Sequence, residues 1–126
     1  MRKVIIAGGR DFSDRPRLWW VMQDLFAEDV PHDGRDFVEV ELEVVCGGAH
    51  GADYEGQVWA KAHNFPVSMF PADWNQYGKA AGHRRNYEMA RYADVLIAFW
   101  DGESRGTRDM IDTALREGLE IHVYRY

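Results

Sequence analysis

The stretch Val44-Val45-Cys46-Gly47-Gly48-Ala49-His50-Gly51-Ala52-Asp53 decides how this chain is read. A short apolar run meets three glycines within five residues, and an aspartate follows. An apolar triplet of this kind reads as the interior end of a buried strand. The residues after it, from Ala52 to His63, carry a helical pattern with Val58, Trp59 and Ala62 expected inward. The unit is therefore strand, glycine turn, helix. Working outward, the same unit recurs. Val4 to Ala7 closes on Gly8-Gly9 and leads to a helix capped by Ser13 or Asp14, with Pro16 in its first turn and an apolar stripe of Leu18, Val21, Met22, Leu25 and Phe26. Asp94 to Trp100 is the most apolar segment and is expected at the centre of the sheet. It runs into the glycine-bearing loop 101–107 and a last helix with Met110, Ile111, Ala114 and Leu115 inward, ended by Gly118.

Three further segments complete the pattern. Val38, Val40, Leu42 and Val44 alternate with glutamates, which predicts a strand over 37–46 that is wet on one face at first and buried at its end. Pro31 to Gly34 is expected to turn the chain before it. Residues 66–70 predict a third strand, followed by a long polar and aromatic loop, 71–85, and a helix beginning near Lys79 or Ala80. Ile121 to Tyr124 predicts a final strand. Strands and helices alternate five times, so the expected fold is α/β: a Rossmann-like, doubly wound, mainly parallel five-stranded sheet flanked by helices. Residues 1–126 are expected to form a single domain, with 28–43 as an acidic elaboration before and into the second strand. Ligands in such sheets bind beyond the carboxyl ends of the strands, where strand order reverses.

Composition narrows the function classes. The chain has 126 residues, 46% apolar and 29% charged, a globular composition. Its apolar runs are too short for a membrane span or a signal peptide. One cysteine, Cys46, permits no internal disulfide, and a cytoplasmic location is expected. Five histidines and that cysteine show no metal-ligand spacing, so no metal and no cofactor are expected. A net charge of −6 disfavours nucleic acid as a partner. Yet Arg10, Lys79, Arg84, Arg85, Arg105 and Arg108, six of fifteen basic residues, fall in or beside the loops of one sheet edge. Glycines there let backbone N–H groups approach an anion, and helix N-termini and arginine forks favour phosphate. The loop residues expected at such a ligand include Gly9 and Ser104. His50 and His83 are acid–base candidates or solvent-facing loop residues, and Trp74 and Tyr77 offer stacking surfaces. The alternating strand and the adjacent Trp19 and Trp20 suggest a homodimer.

GGRDF at 8–12, CGGAHGAD at 46–53, FPADW at 70–74, GKAAGHRRNYEM at 78–89, and DVLIAFWDG with SRGTRDM over 94–110 resemble the YspA-type, cpYpsA-related branch of the SLOG superfamily. That superfamily also holds the LOG phosphoribohydrolases and the DNA-uptake protein DprA. The resemblance implies a pocket for a nucleotide or nucleotide-derived ligand, either ADP-ribose-like or a nucleoside phosphate. By motif it places Gly8 and Arg10, then Gly47, Gly48, Gly51 and Asp53, then Arg85 and Asn86, then Gly106 and Thr107 at that ligand. Asp53 and Thr107 have an alternative as helix caps or as partners of their own turns. The LOG enzymes carry a catalytic glutamate where this chain has Met110, so a carboxylate for N-glycosidic cleavage has to come from Asp109, Asp53, Glu88 or Asp101. A binding domain acting as a sensor is the first expectation. A nucleoside-monophosphate phosphoribohydrolase is the second, and a single-strand binder the third.

Overall fold

In a computed structural model the described residues are 1–30, 34–37 and 39–126. The chain runs β1 (Arg2–Gly8), α1 (Arg15–Phe26), β2 (Glu28–Val30), β3 (Gly34–Asp36), β4 (Leu42–Cys46), α2 (Ala52–Ala62), β5 (Val67–Met69), α3 (Trp74–Tyr77), a 3-10 turn (Gly78–Ala80), α4 (Ala81–Tyr92), β6 (Val95–Trp100), α5 (Arg105–Arg116) and β7 (Glu120–Arg125). Five strands form one parallel sheet in the order β5-β4-β1-β6-β7. β1 is its centre, not the more apolar β6, which lies between β1 and β7. Val4 sits between Val44 and Val95, and Ile5 between Val45 and Leu96, so the middle of the sheet is β-branched and aliphatic throughout.

Two cores follow from the period-two alternation of the strands. Val4, Ile6, Val44, Val95, Ile97 and Phe99 face Leu18, Val21 and Met22 of α1 and Trp59 and Ala60 of α2. Ile5, Ala7, Val45, Leu96 and Ala98 face Met89 and Ala90 of α4 and Met110 and Ala114 of α5. The helices thus divide between the two faces, as right-handed crossovers require. The Asp14 carboxylate accepts from the Arg17 N–H and caps α1. Arg15 of α1 pairs with Glu55 of α2, Nε to Oε2 at 2.7 Å, which ties the starts of the two helices on that face.

Several elements differ from the sequence expectation. The strand predicted over 37–46 begins only at Leu42. The Val40 N–H returns to the Phe37 carbonyl, and the Phe37 ring packs edge-on against Trp59, His63 and Phe65. Spacing that suits a strand also suits a turn that sends Phe37 and Val40 into one core. Val38 lies outside the described residues, as do Pro31 to Asp33 of the expected turn. Glu28–Val30 pairs antiparallel with Gly34–Asp36, a hairpin with no apolar signature. Within 71–85 the chain is helical from Trp74 onward, so His83, Arg84 and Arg85 stand on α4 and not in a loop. Ala62 and Leu115, both expected inward, are exposed; Ala60 and Thr113 fill those positions. Of the adjacent tryptophans, Trp19 packs against the core and Trp20 is exposed. Among the described residues no helix is long and apolar enough to cross a membrane.

Trp59 is the largest fully buried side chain, stacked on Phe65 and His63. Truncating a buried aromatic costs about 3–5 kcal/mol through lost transfer and cavity terms. Trp59→Ala is expected to lower stability by that amount in urea unfolding, with Trp20→Ala within about 0.5 kcal/mol of wild type; equal effects would show that the two-core description is wrong.

Candidate functional site

Beyond the carboxyl ends of the strands, β1 leads its chain toward β4 and β5 while β6 leads toward β7. Their loops diverge and leave a cleft of about 640 Å³. The first loop contributes Gly8, Gly9, Arg10 and Asp11, the second Ala49 and Asp53, and the fourth Asp101 and Ser104 to Thr107. Helices α3 and α4 add Trp74, Gly82, His83, Arg85, Asn86 and Met89. A second cleft of about 420 Å³ adjoins it, lined by Gly47, Gly48, His50, Met69 and Pro71, with Arg10, Ala49, Trp74 and Arg85 common to both. Segments from four parts of the chain therefore share one rim.

The loops hold their shape by specific bonds. Gly51 has φ +78°, and a Cβ there would stand 2.1 Å from the Gly9 carbonyl oxygen. That carbonyl accepts from the N–H groups of Ala52 and Phe12, so the first two loops are stitched together through Gly9. Gly51 lines neither cleft; its part is this close backbone approach. Asp53, in the first turn of α2 and 6% exposed, accepts from the Gly47 N–H at 3.0 Å and the Ala49 N–H at 3.4 Å. Burial pushes its carboxyl up to about 6, against the opposing pull of those N–H groups and of Arg85. Cys46, fully buried behind it, has its thiol pushed to about 11 by burial and by the Asp53 charge, so it is a core residue and not a nucleophile.

Arg85 reaches back across the rim. Its Nη1 donates to the Gly47 carbonyl at 2.8 Å and its Nε to Asn86 Oδ1 at 3.0 Å. A Cβ on Gly47 would lie 2.2 Å from that Nη1, so the contact demands glycine. Asn86, 6% exposed, donates to Asp109 Oδ2 at 2.9 Å, and Asp109 Oδ1 lies 2.8 Å from His83 Nδ1. In the fourth loop Asp101 accepts from the Glu103 and Ser104 N–H groups, and these bonds hold its carboxyl below the usual range. Ser104 caps α5, its Oγ accepting from the Thr107 N–H and touching Thr107 Oγ1. The N–H groups of Arg105 and Gly106, next in that first turn, have no protein acceptor among the described residues. Neither do the guanidinium groups of Arg10 and Arg105.

Every residue expected at the ligand therefore lies at this rim or shapes it. Gly8, Gly9, Arg10, Asp53, Arg85, Asn86, Ser104, Gly106 and Thr107 line the main cleft, and Gly47 and Gly48 the adjoining one. Among the four carboxylate candidates, Asp109, Asp53 and Asp101 face the main cleft, whereas Glu88 points outward and pairs with Arg84 at 3.7 Å. Arg84 also covers the Tyr77 ring, which removes both from the site. Lys79 and Arg108 line neither cleft. Arg105 belongs at the rim although the loop motif did not single it out; its place at the first position of α5 is the signal. Met110 is buried in the cleft wall and brings no acid.

The raised Asp53 carboxyl carries a stability consequence. The native state holds this proton more tightly than the unfolded chain, so the buried charge costs stability above about pH 6, and the cost fades as pH falls toward the ordinary aspartate value. Lowering pH from 7.5 to 5 is expected to stabilise wild type by roughly 1 kcal/mol more than it stabilises Asp53→Asn, read from urea midpoints. A zero or reversed difference contradicts the assignment.

Comparison with known proteins agrees with this architecture. The family model described as "YspA, cpYpsA-related SLOG family" matches residues 2–77, covering the first two loops and the start of the third. The Gene 61 protein of Mycobacterium phage D29 is 37% identical over 127 residues, spanning 96% of this chain and 94% of that protein. With the parallel sheet, the glycine turns and this match in place, the chain belongs to the YspA, cpYpsA-related SLOG family.

Proposed function

We propose that this protein binds a nucleotide or nucleotide-derived ligand, a nucleoside phosphate or an ADP-ribose-like molecule, in the cleft at the carboxyl edge of the sheet. The observation that carries the reading is the first turn of α5. Among the described residues two N–H groups without protein acceptors open there into a cleft flanked by Arg10 and Arg105, whose guanidinium groups have no protein partner. A helix N-terminus offers partial positive charge and aimed donors, and guanidinium groups supply bidentate, charge-assisted bonds to phosphate oxygens. The cleft volume lies within the range of small-molecule sites. Family membership supports a ligand related to nucleotides. Trp74, 56% exposed at the mouth of both clefts, gives an aromatic face for a base.

In this reading Asp53 and Arg85 shape the site more than they touch the ligand. Asp53 is engaged with its own loop, and two of the three Arg85 nitrogens are engaged with protein acceptors. Arg85 Nη2 is left for a phosphate oxygen.

Isothermal titration with AMP, ADP, ADP-ribose and inorganic phosphate tests the reading. Saturable binding of at least one nucleotide is expected, weakened about tenfold or more by Arg10→Ala and by Arg105→Ala, as loss of a charge-assisted bond implies. Arg108→Ala, whose guanidinium pairs with Asp112 on the outer face, is expected to leave affinity unchanged. Absence of saturable binding to every probe, or full affinity in both variants, overturns the proposal.

A further inference from the structure

We propose that Tyr126 is a positioning residue of the cleft: its phenol holds the Asp11 carboxylate off the neighbouring Arg10 and so keeps the Arg10 guanidinium open to a phosphate oxygen. The inference rests on the phosphate-binding reading above and adds the group that keeps the protein's own acid out of that site. Arg10 and Asp11 are adjacent in the chain, and both line the main cleft. A carboxylate so close to a guanidinium competes for it through the same charge-assisted forks that bind phosphate. Asp11 Oδ1 instead accepts from the Tyr126 hydroxyl, and among the described residues Arg10 has no protein partner. The other acids of the cleft, Asp53, Asp101 and Asp109, are held by N–H donors of their own loops or of Asn86. Asp11 depends on a hydroxyl from the far end of the chain.

The phenol is placed by the sheet and not by the loop. β7 pairs in register with β6 through Arg125 opposite Trp100, and the Tyr126 N–H donates to the Trp100 carbonyl at 3.2 Å. Arg125 Nη2 donates to the Asp101 carbonyl at 3.2 Å, and Arg17 Nη1 of α1 donates to the Arg125 carbonyl at 2.9 Å. The Phe12 ring meets the Tyr126 ring edge-on, centroids 5.2 Å apart, and stacks on Phe99 at 4.4 Å. Residues 125 and 126 therefore touch both the fourth loop and the first, the two that diverge across the cleft. Burial and the Asp11 carboxylate push the ionisation of the phenol up, so it remains a proton donor through neutral pH.

Gly9 points to the same contact. Its φ lies outside the left-handed region, so backbone conformation alone does not require glycine there. A Cβ on Gly9 would stand 1.8 Å from the Tyr126 hydroxyl oxygen and 2.8 Å from Asp11 Oδ1. The room left by the missing side chain is filled by the Tyr126–Asp11 bond. Without the phenol the carboxylate is released beside Arg10, and only molecules with Arg10 free bind phosphate at full strength. Pairing in about four-fifths of molecules lowers apparent affinity about fivefold.

The test is isothermal titration of wild type, Tyr126→Phe, and Tyr126→Phe with Asp11→Asn, using AMP, ADP, ADP-ribose and inorganic phosphate. Tyr126→Phe keeps the ring on Phe12 and removes only the hydroxyl; it is expected to weaken binding about fivefold. Asp11→Asn in that background should restore wild-type affinity, because no carboxylate is left to take Arg10, whereas a merely structural loss would persist. Tyr54→Phe, exposed and outside both clefts, should bind as wild type does. Undiminished binding by Tyr126→Phe, or a loss that Asp11→Asn fails to repair, overturns this proposal and leaves the binding reading standing. No saturable binding of any probe by wild type removes the binding reading and this one with it. Urea unfolding checks the contact without a ligand. Gly9→Ala should destabilise wild type and cost much less in Tyr126→Ala; equal costs in the two backgrounds also overturn the proposal.

Discussion

One guanidinium holds the rim together. Arg85 stands on α4, on the face of the sheet opposite α2, yet its Nη1 bonds to the Gly47 carbonyl in the loop that leads into α2. The bond is a charged donor on a neutral acceptor, stronger than an ordinary backbone bond and free of the cost of pairing two buried charges. It is possible only because residue 47 has no side chain. On one side of it Asp53 gathers the N–H groups of Gly47 and Ala49; on the other Asn86 passes the order on to Asp109 and His83. The loops are therefore arranged before any ligand arrives, which lowers the ordering cost of binding.

Around that bond the topology does the rest. Because the chain departs from β1 to one side and returns at β6 to the other, their loops cannot pack on each other, and a cleft opens between them. The acidic residues are spent elsewhere. Asp101 and Asp53 bind backbone N–H groups of their own loops, and Glu88 pairs outward with Arg84. Among the described residues, the guanidinium groups of Arg10 and Arg105 and the first N–H groups of α5 face the opening without a protein partner. A chain of net charge −6 thus gathers cationic groups at one cleft.

The glycine turns, the strand–helix alternation and the resulting edge were legible in the sequence because each is a local signal. VVCGGAHGAD announces its own strand end, turn and helix start; SRGT announces a cap, which falls on Ser104 and not on Thr107, the residue expected to cap. The start of β4 was not legible, since Phe37 and Val40 satisfy a strand pattern and a core-directed turn equally well. Nor was the meeting of His83 with Asp109. Their separation is fixed by how α4 docks on α5, and no spacing within either motif encodes it. Glu88 shows the reverse error: it lies one residue from the inward Met89, and that single step of about 100° carries it to solvent. Helix phase, unlike turn chemistry, is settled only by packing.

The proposed binding requires distant turns to act together on one phosphorylated guest. Backbone amide NMR during titration with ADP-ribose tests it most directly. Saturable shifts are expected at Gly8 to Asp11, at Arg85 and Asn86, and at Arg105 to Thr107, all with one dissociation constant. The amides of the Glu28–Val30 and Gly34–Asp36 hairpin should stay unmoved. Shifts scattered over the surface, differing in midpoint from loop to loop, or absent at saturating ligand would contradict it.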